Sequence, residues 1–295
     1  MGISSQELSN WTKPGFDNEL ERAENTRKLV LQVIENHPEL QNLNIRVFAK
    51  GSYANNTNVR RDSDIDIAVE LRNLIKLEYT NGLNFEDTGL DPYTGISVVN
   101  FKSLVLEALY SEFNSSSIDS SSNKVFRIRG SAKILDADIV PCTTYRRYLG
   151  YNQYREGIEL ILNQTDGKRH INYPNQHHEN GVSKNLRTKK RYKSLVRILK
   201  NIRNNVLNRK DYASYMLESI VYNSPDGLLL KYNTWKEIIL DLCSHSYQYL
   251  NQSEPQNASE RWVEVNHYKF LFHPDQKWTR EDARQFILDL YNSIS

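Results

Sequence analysis

Sulfur is scarce in this chain, with two cysteines and two methionines in 295 residues. Cys142 and Cys243 stand about a hundred residues apart with no CxxC pairing, which excludes a disulfide framework and a zinc ribbon. Both are expected as buried thiols. The seven histidines are scattered except for His177 and His178, and neighbours on a strand point to opposite faces and make a poor chelate. No apolar run approaches the roughly 18 residues of a spanning helix. The start, MGISSQELSNWTKPG, lacks the charged, apolar and small-residue regions of a signal peptide. Gln6 stands where a myristoylation signal needs Ser or Thr, so Gly2 is not read as a lipid site. These absences together point to a cytoplasmic protein with no membrane partner.

An excess of one charge is also missing: 38 basic and 36 acidic residues leave a net charge of +2. The distribution is uneven. Asn185 to Lys210 holds ten Lys or Arg and no acid, leaving 28 basic against 36 acidic residues elsewhere. One segment therefore carries the positive field. With 39% hydrophobic and 11% aromatic residues, the chain can bury a sizeable core, and its length suits two modest lobes.

Glu19 to Glu35 places Leu20, Ala23, Val30, Val33 and Ile34 on one face of a 3.6-residue repeat, which predicts an amphipathic helix ended by His37 and Pro38. A strand at Ile45 to Ala49, the turn Gly51-Ser52 and a second strand at Ile65 to Leu71 follow. Phe101 to Tyr110 reads as a helix, and the Ser-rich run Asn114 to Asn123 as a mobile loop. Lys124 to Val140 reads as two strands around Gly130, stopped by Pro141. From Tyr192 the pattern turns helical, with Tyr192, Leu195, Val196, Leu199, Ile202 and Val206 forming one apolar stripe. Tyr215 to Tyr222, Thr234 to Leu250 and Arg280 to Ile294 continue it, and Gly167 to Asn185 is expected as the crossing between lobes.

Strand alternation puts Asp64 and Asp66 on one face while Ile65, Ile67 and Val69 pack on the other. Their Cα atoms would stand about 6.6 Å apart, close enough to converge on a hard divalent cation. Two such charges side by side cost Coulomb energy unless something positive joins them. A lone DxD can also be an ordinary solvated strand face. Gly51-Ser52, twelve residues upstream, adds a backbone that a phosphate can approach closely and a hydroxyl donor. Further on, Asp136 and Asp138 share one parity, and either could join the first pair across neighbouring strands. Asp138 is preferred, next to the apolar Ile139-Val140 stop.

The strings GSYANNTNVRRDSDIDIAVEL, DADIVP some seventy residues on, KRYKSLVRILKNIR and SYMLESIVY together resemble the DNA polymerase β type nucleotidyltransferases. Within that superfamily the match, from about Trp11 to Tyr222, is to the bacterial cyclic oligonucleotide synthases of anti-phage defence. These are relatives of cyclic GMP-AMP synthase and oligoadenylate synthase. The resemblance implies an α/β (α+β) fold: a polymerase β-like core with a mixed sheet over residues 1–175, N-terminal helix included. A helical nucleotide-binding lobe of oligoadenylate synthase type follows over residues 176–295, with nucleotides expected in the cleft between.

The same resemblance implies that Asp64, Asp66 and Asp138 hold two Mg²⁺ ions, with Mn²⁺ as a substitute, and catalyse attack of an acceptor hydroxyl on the α-phosphate of a triphosphate. Pyrophosphate leaves, and a cyclic di- or trinucleotide forms that signals to a separate effector. Gly51 and Ser52 would cradle the triphosphate. Lys193, Arg197 and Lys200 fall at i, i+4 and i+7 on one helix face, away from the apolar stripe. By similarity Lys200 and Ser214 serve the β and γ phosphates, with Lys193 as the alternative lysine, and the other cations are expected on a solvated face. Two distant cysteines cannot build the zinc-bearing DNA-contact insertion of the animal relative, so nucleic acid is not expected as a requirement. Bacterial relatives are either constitutive or licensed by a regulatory protein encoded alongside. The rival readings are nucleotidyl transfer to a protein, an antibiotic or an RNA end, and a catalytically idle nucleotide-binding module.

Overall fold

The computed structural model describes residues 2–15, 17–59 and 64–294, so Arg60 to Ser63 of the quoted motif lie outside the described residues. Packing divides the chain into two units, one of Phe16–Ala54 and Ser63–Pro174, the other of Met1–Gly15, Asn55–Asp62 and Asn175–Ser295. Two early segments thus belong with the helices rather than with residues 1–175 as expected. The reason is visible at Leu8, which packs into the same apolar cluster as Tyr192, Leu195 and Leu199.

In chain order the elements begin with α1 (Ser5–Asn10), α2 (Asp17–Asn36), β1 (Ile45–Lys50), α3 (Gly51–Asn55) and β2 (Ile65–Tyr79). Next come α4 (Val98–Glu112), β3 (Ile118–Asp119), β4 (Phe126–Ile128), β5 (Ala137–Gly150), β6 (Gln153–Leu160) and β7 (Ile171–Asn172). The helices α5 (Pro174–Arg187), α6 (Arg191–Asn205), α7 (Ser214–Asn223), α8 (Asp226–Lys231), α9 (Trp235–Leu250) and α10 (Arg280–Ile294) complete the chain. None of the described helices is long and apolar enough to cross a membrane.

The first unit is a seven-stranded mixed sheet in the order β1-β2-β5-β4-β3, with β6 and then β7 added beside β5. Among the described residues only β2 and β5 run parallel; the other pairs are antiparallel. The period of two sorts the side chains: Ile65, Ile67, Val69 and Ile139 join Val30 and Ile34 of α2 and Phe101, Val105 and Leu109 of α4 in one core. The even-numbered residues face the other way, where Ala68, Cys142 and Ile158 form a smaller apolar cluster. That second face also carries Asp66 and Asp138.

Pro141 does not stop the strand, which runs on to Gly150. The Pro141 carbonyl accepts from the Ile161 amide, so its nitrogen faces the same edge of β5. On that edge β4 ends its pairing at Ile139 and β6 begins at Cys142, and the missing donor falls at the junction. The Ser-rich run is not a mobile loop: Ser115–Ser117 form a 3-10 turn and Ile118–Asp119 pair with β4 at the sheet edge. Its end is tied by Lys102 of α4, whose ammonium donates to the carbonyls of Asn123 and Ile161. Burial lowers the pKa of Lys102 to about 8. Tyr151 to Asn163, unpatterned in the sequence, supplies β6. Gly167 to Asn185 is no bare crossing either, since it holds β7 and most of α5. His177 and His178 therefore sit on a helix, not a strand.

In the helical unit α6 is central. Tyr192, Leu195, Val196, Ile198, Leu199 and Ile202 are buried against Met216, Leu217 and Ile220 of α7, Leu242 of α9 and Phe286 and Leu290 of α10. The stripe seen in the sequence widens here to nearly the whole circumference, and Lys193, Arg197, Lys200 and Arg203 are buried as well.

Candidate active site

In the sheet unit the first turn after β1 is set by one glycine. Gly51 has φ +67°, a left-handed conformation that side chains disfavour. A Cβ built there would lie 2.5 Å from Asp66 Oδ2. Gly51 thus lets the β1–α3 turn approach the Asp66 carboxylate, and Ser52 follows it in α3.

Strand register lines up four charged residues. Lys50 of β1 is the partner of Asp66 in β2, Asp66 of Asp138 in β5, and Asp138 of Arg127 in β4. The row reads cation, anion, anion, cation across four adjacent strands about 4.8 Å apart. Lys50 Nζ lies 3.2 Å from Asp66 Oδ1, and Arg127 Nε 3.5 Å from Asp138 Oδ1. The Arg127 contact is an ion pair without hydrogen-bond geometry: Asp138 Oδ1 is buried and has no hydrogen-bond partner among the described residues. Asp64 stands one step before β2 on the same face as Asp66.

Burial, then repulsion from Asp66 and Asp64, pushes the Asp138 carboxyl above its ordinary range, with Arg127 and Lys50 opposing. Asp64 is likewise raised, by burial first and then by Asp136 and Asp66, with Arg127 opposing. Asp136, the other acid weighed in the sequence, lies beside Asp64 but is itself tied by hydrogen bonds. Its Oδ1 accepts from the Gly130 amide at 2.5 Å, and its carbonyl accepts from the Ile65 amide. A buried carboxylate oxygen without a hydrogen bond, beside two further acids whose charges oppose its ionisation, is the donor set a hard divalent cation satisfies. Their oxygen donors suit such an ion, while among the described residues no three acids, histidines or cysteines are gathered closely enough to enclose one.

The remaining expected residues lie in the helical unit. Lys200 Nζ donates to the Thr57 carbonyl at 2.8 Å and is 2% exposed. Ser214 opens α7, and its hydroxyl oxygen accepts from Arg203 at 2.6 Å. Lys193 is buried, which lowers its pKa against the pull of Glu218. Arg197 binds backbone carbonyls of Thr12 and Asn56, and burial lowers its pKa to about 10. The basic helix is therefore a bracket for backbone as well as a charged surface: Arg197 and Arg203 are buried where a solvated face was expected, while Arg187, Lys189, Lys190, Arg209 and Lys210 are exposed as expected.

Sequence reasoning missed the counter-charge under this bracket. Glu218, four residues after Ser214, is buried and accepts from His177 Nε2 at 2.8 Å and from the hydroxyls of Tyr192 and Thr57. Burial alone would raise this carboxyl, but His177, Lys200 and Lys193 outweigh it and hold it below its ordinary value. Asn55 Nδ2 meets His177 Nδ1 at 3.3 Å, which suits the tautomer that gives its Nε2 proton to Glu218. Replacing Glu218 with Ala strands these partners, and the expected cost is about 3 kcal/mol of unfolding free energy, read by urea denaturation.

A mixed sheet bearing paired aspartates beside a strand–glycine–serine turn, with a helical C-terminal unit, defines an α/β nucleotidyltransferase fold. Residues 179–295 match the cGAS/DncV-like nucleotidyltransferase C-terminal helical domain. The chain is 32% identical to the cyclic dipyrimidine nucleotide synthase CdnE of Cecembia lonarensis, over 99% of this chain and 98% of the relative. It is 30% identical to the enzyme of the same name from Legionella pneumophila, over 98% and 97% of the two chains. Among solved structures, the Rhodothermus marinus CdnE c-UMP-AMP synthase with Apcpp and Upnpp superposes with a TM-score of 0.81 at 25% identity, covering 98% of this chain and 95% of that one. The chain belongs to the bacterial cGAS/DncV-like nucleotidyltransferases, the family of cyclic nucleotide synthases.

Proposed function

We propose that this protein joins ribonucleoside triphosphates into a cyclic dinucleotide, releasing pyrophosphate, and that the product signals to a separate effector in anti-phage defence. The observation that carries the chemistry is the register that sets Asp66 opposite Asp138, with Asp64 on the same face and Asp138 Oδ1 lacking a hydrogen bond among the described residues. Asp64, Asp66 and Asp138 would hold divalent cations, Mg²⁺ or Mn²⁺, which when bound neutralise phosphoryl oxygens and make an acceptor hydroxyl more acidic. Gly51 keeps the turn thin enough for a phosphate to approach, and Ser52 offers a hydroxyl donor. Asp138 orients the acceptor hydroxyl. The hydroxyl gives up its proton to solvent as its oxygen bonds to the α-phosphorus of the donor and the bond to the β-phosphate oxygen breaks, and a second such step closes the ring.

In the helical unit Lys200, Ser214 and Lys193 remain the assignments for phosphate oxygens. The Ser214 oxygen that accepts from Arg203 still carries a hydrogen to donate. The names of the two CdnE relatives, and the uridine and adenine analogues in the Rhodothermus complex, make pyrimidine triphosphates the first substrates to offer. Omitting each of the four triphosphates in turn, and weighing the product, tests this. Loss of product on omitting UTP or CTP, with the mass of a cyclic dinucleotide, is expected; a product that needs neither pyrimidine contradicts the base assignment, and a linear mass contradicts cyclisation.

A further inference from the structure

The order of the charged row has a consequence for the second substrate. In-line displacement requires the attacking oxygen and the leaving pyrophosphate to stand on opposite sides of the α-phosphorus. Gly51 and Ser52, the turn proposed for the triphosphate, lie at the β1 end of the row, so the leaving group points toward β1. The acceptor must then come from the opposite end, over β5, β4 and β3. That end of the sheet unit carries a cavity of about 240 Å³ whose charged lining is Arg127 and Arg129 together with Asp64, Asp119 and Asp136. Drug-sized ligands occupy about 300–1,000 Å³, so this space suits a sugar with a phosphate rather than a larger molecule.

Two guanidiniums face this cavity from positions 127 and 129, which alternation puts on one side of the chain. Arg127 is held between two carboxylates, Asp138 at 3.5 Å and Asp119 at 3.7 Å, and more than half of its side chain is exposed. It is thus aimed, charged and open to a ligand. We propose that Arg127, supported by Arg129, binds the 5′-phosphate of the acceptor nucleotide, and that in the ligand-free protein it serves as the counter-ion of Asp138. The inference rests on the synthase reading and adds to it the residue that distinguishes a phosphorylated acceptor from a bare sugar. Guanidinium suits this role because it pairs with phosphate through two parallel hydrogen bonds.

The test offers UMP against uridine, and AMP against adenosine, as acceptors for α-labelled triphosphates, using the wild type, Arg127→Met and Arg127→Lys. The wild type is expected to extend the monophosphate about tenfold or more better than the nucleoside. Arg127→Met should bring that ratio close to one while leaving the donor KM within about twofold, and Arg127→Lys should restore part of it. Binding of Mn²⁺ alone, followed by electron paramagnetic resonance, should tighten several-fold in Arg127→Met because no guanidinium competes for Asp138. Unchanged or weaker Mn²⁺ binding contradicts the counter-ion role. A wild type that joins triphosphates but shows no preference for the monophosphate, or an Arg127→Met protein that keeps it, overturns the acceptor assignment. A wild type that joins no triphosphates at all overturns the synthase reading, and this inference with it.

Discussion

Replacing both Asp64 and Asp66 with Ala is expected to lower product formation by at least about a thousandfold without lowering the melting temperature. The catalytic loss follows from the cations these acids are proposed to hold: a metal-stabilised phosphoryl transfer step draws several kcal/mol from its cations, and each 1.4 kcal/mol is a factor of about ten. The thermal result follows from the electrostatics of the ligand-free site. Burial raises the carboxyls of Asp64 and Asp138, Asp136 and Asp66 adding to it at Asp64 and Asp66 and Asp64 at Asp138, so the folded protein is strained by keeping them charged. Lys50 and Arg127 offset only part of that strain. Product yield and a thermal melt of the same preparation check both halves, and a variant that unfolds early would mean that the acids support the fold instead of burdening it.

Gly51→Ala is the second large effect, because two penalties coincide there. The left-handed φ of +67° costs a non-glycine residue about 1–2 kcal/mol. The added Cβ also meets Asp66 Oδ2 at 2.5 Å, and the carboxylate must leave Lys50 to make room. Activity is expected to fall about a hundredfold, since displacement by about 1 Å at a reacting centre has that order of effect. Gly82 separates the two causes: its φ of +77° is equally unusual, but a Cβ there meets nothing within 4 Å. Gly82→Ala should lose similar unfolding free energy and keep its activity. Equal activity losses in both variants would show that backbone strain, not the Asp66 contact, governs the site.

The period-two pattern made the DxD strand legible, because Ile65, Ile67 and Val69 had to face a core and so sent Asp64 and Asp66 to the other side. The same rule gave Asp138 its parity. What it could not give was register, and the row from Lys50 to Arg127 exists only through pairing among four strands, two early in the chain and two well after them. Nothing in the sequence pattern singled out Arg127. The periodicity of α6 was equally plain, yet Lys200 and Arg197 are buried because backbone carbonyls of residues 56 and 57, far away in sequence, reach them. Pro141 and the Ser-rich run misled for a related reason. Local propensity ended a strand and loosened a loop where the β4–β6 junction absorbed the missing donor and Lys102 tied the chain down.

The central claim is phosphodiester synthesis at the three aspartates. Its most direct test incubates the purified protein with all four labelled ribonucleoside triphosphates and Mg²⁺ or Mn²⁺, treats the mixture with phosphatase, and separates what survives. A phosphatase-resistant species made by the wild type and absent from the Asp64→Ala/Asp66→Ala protein is the expected result. A resistant species made equally by both proteins would contradict the site, and none from the wild type would contradict cyclisation.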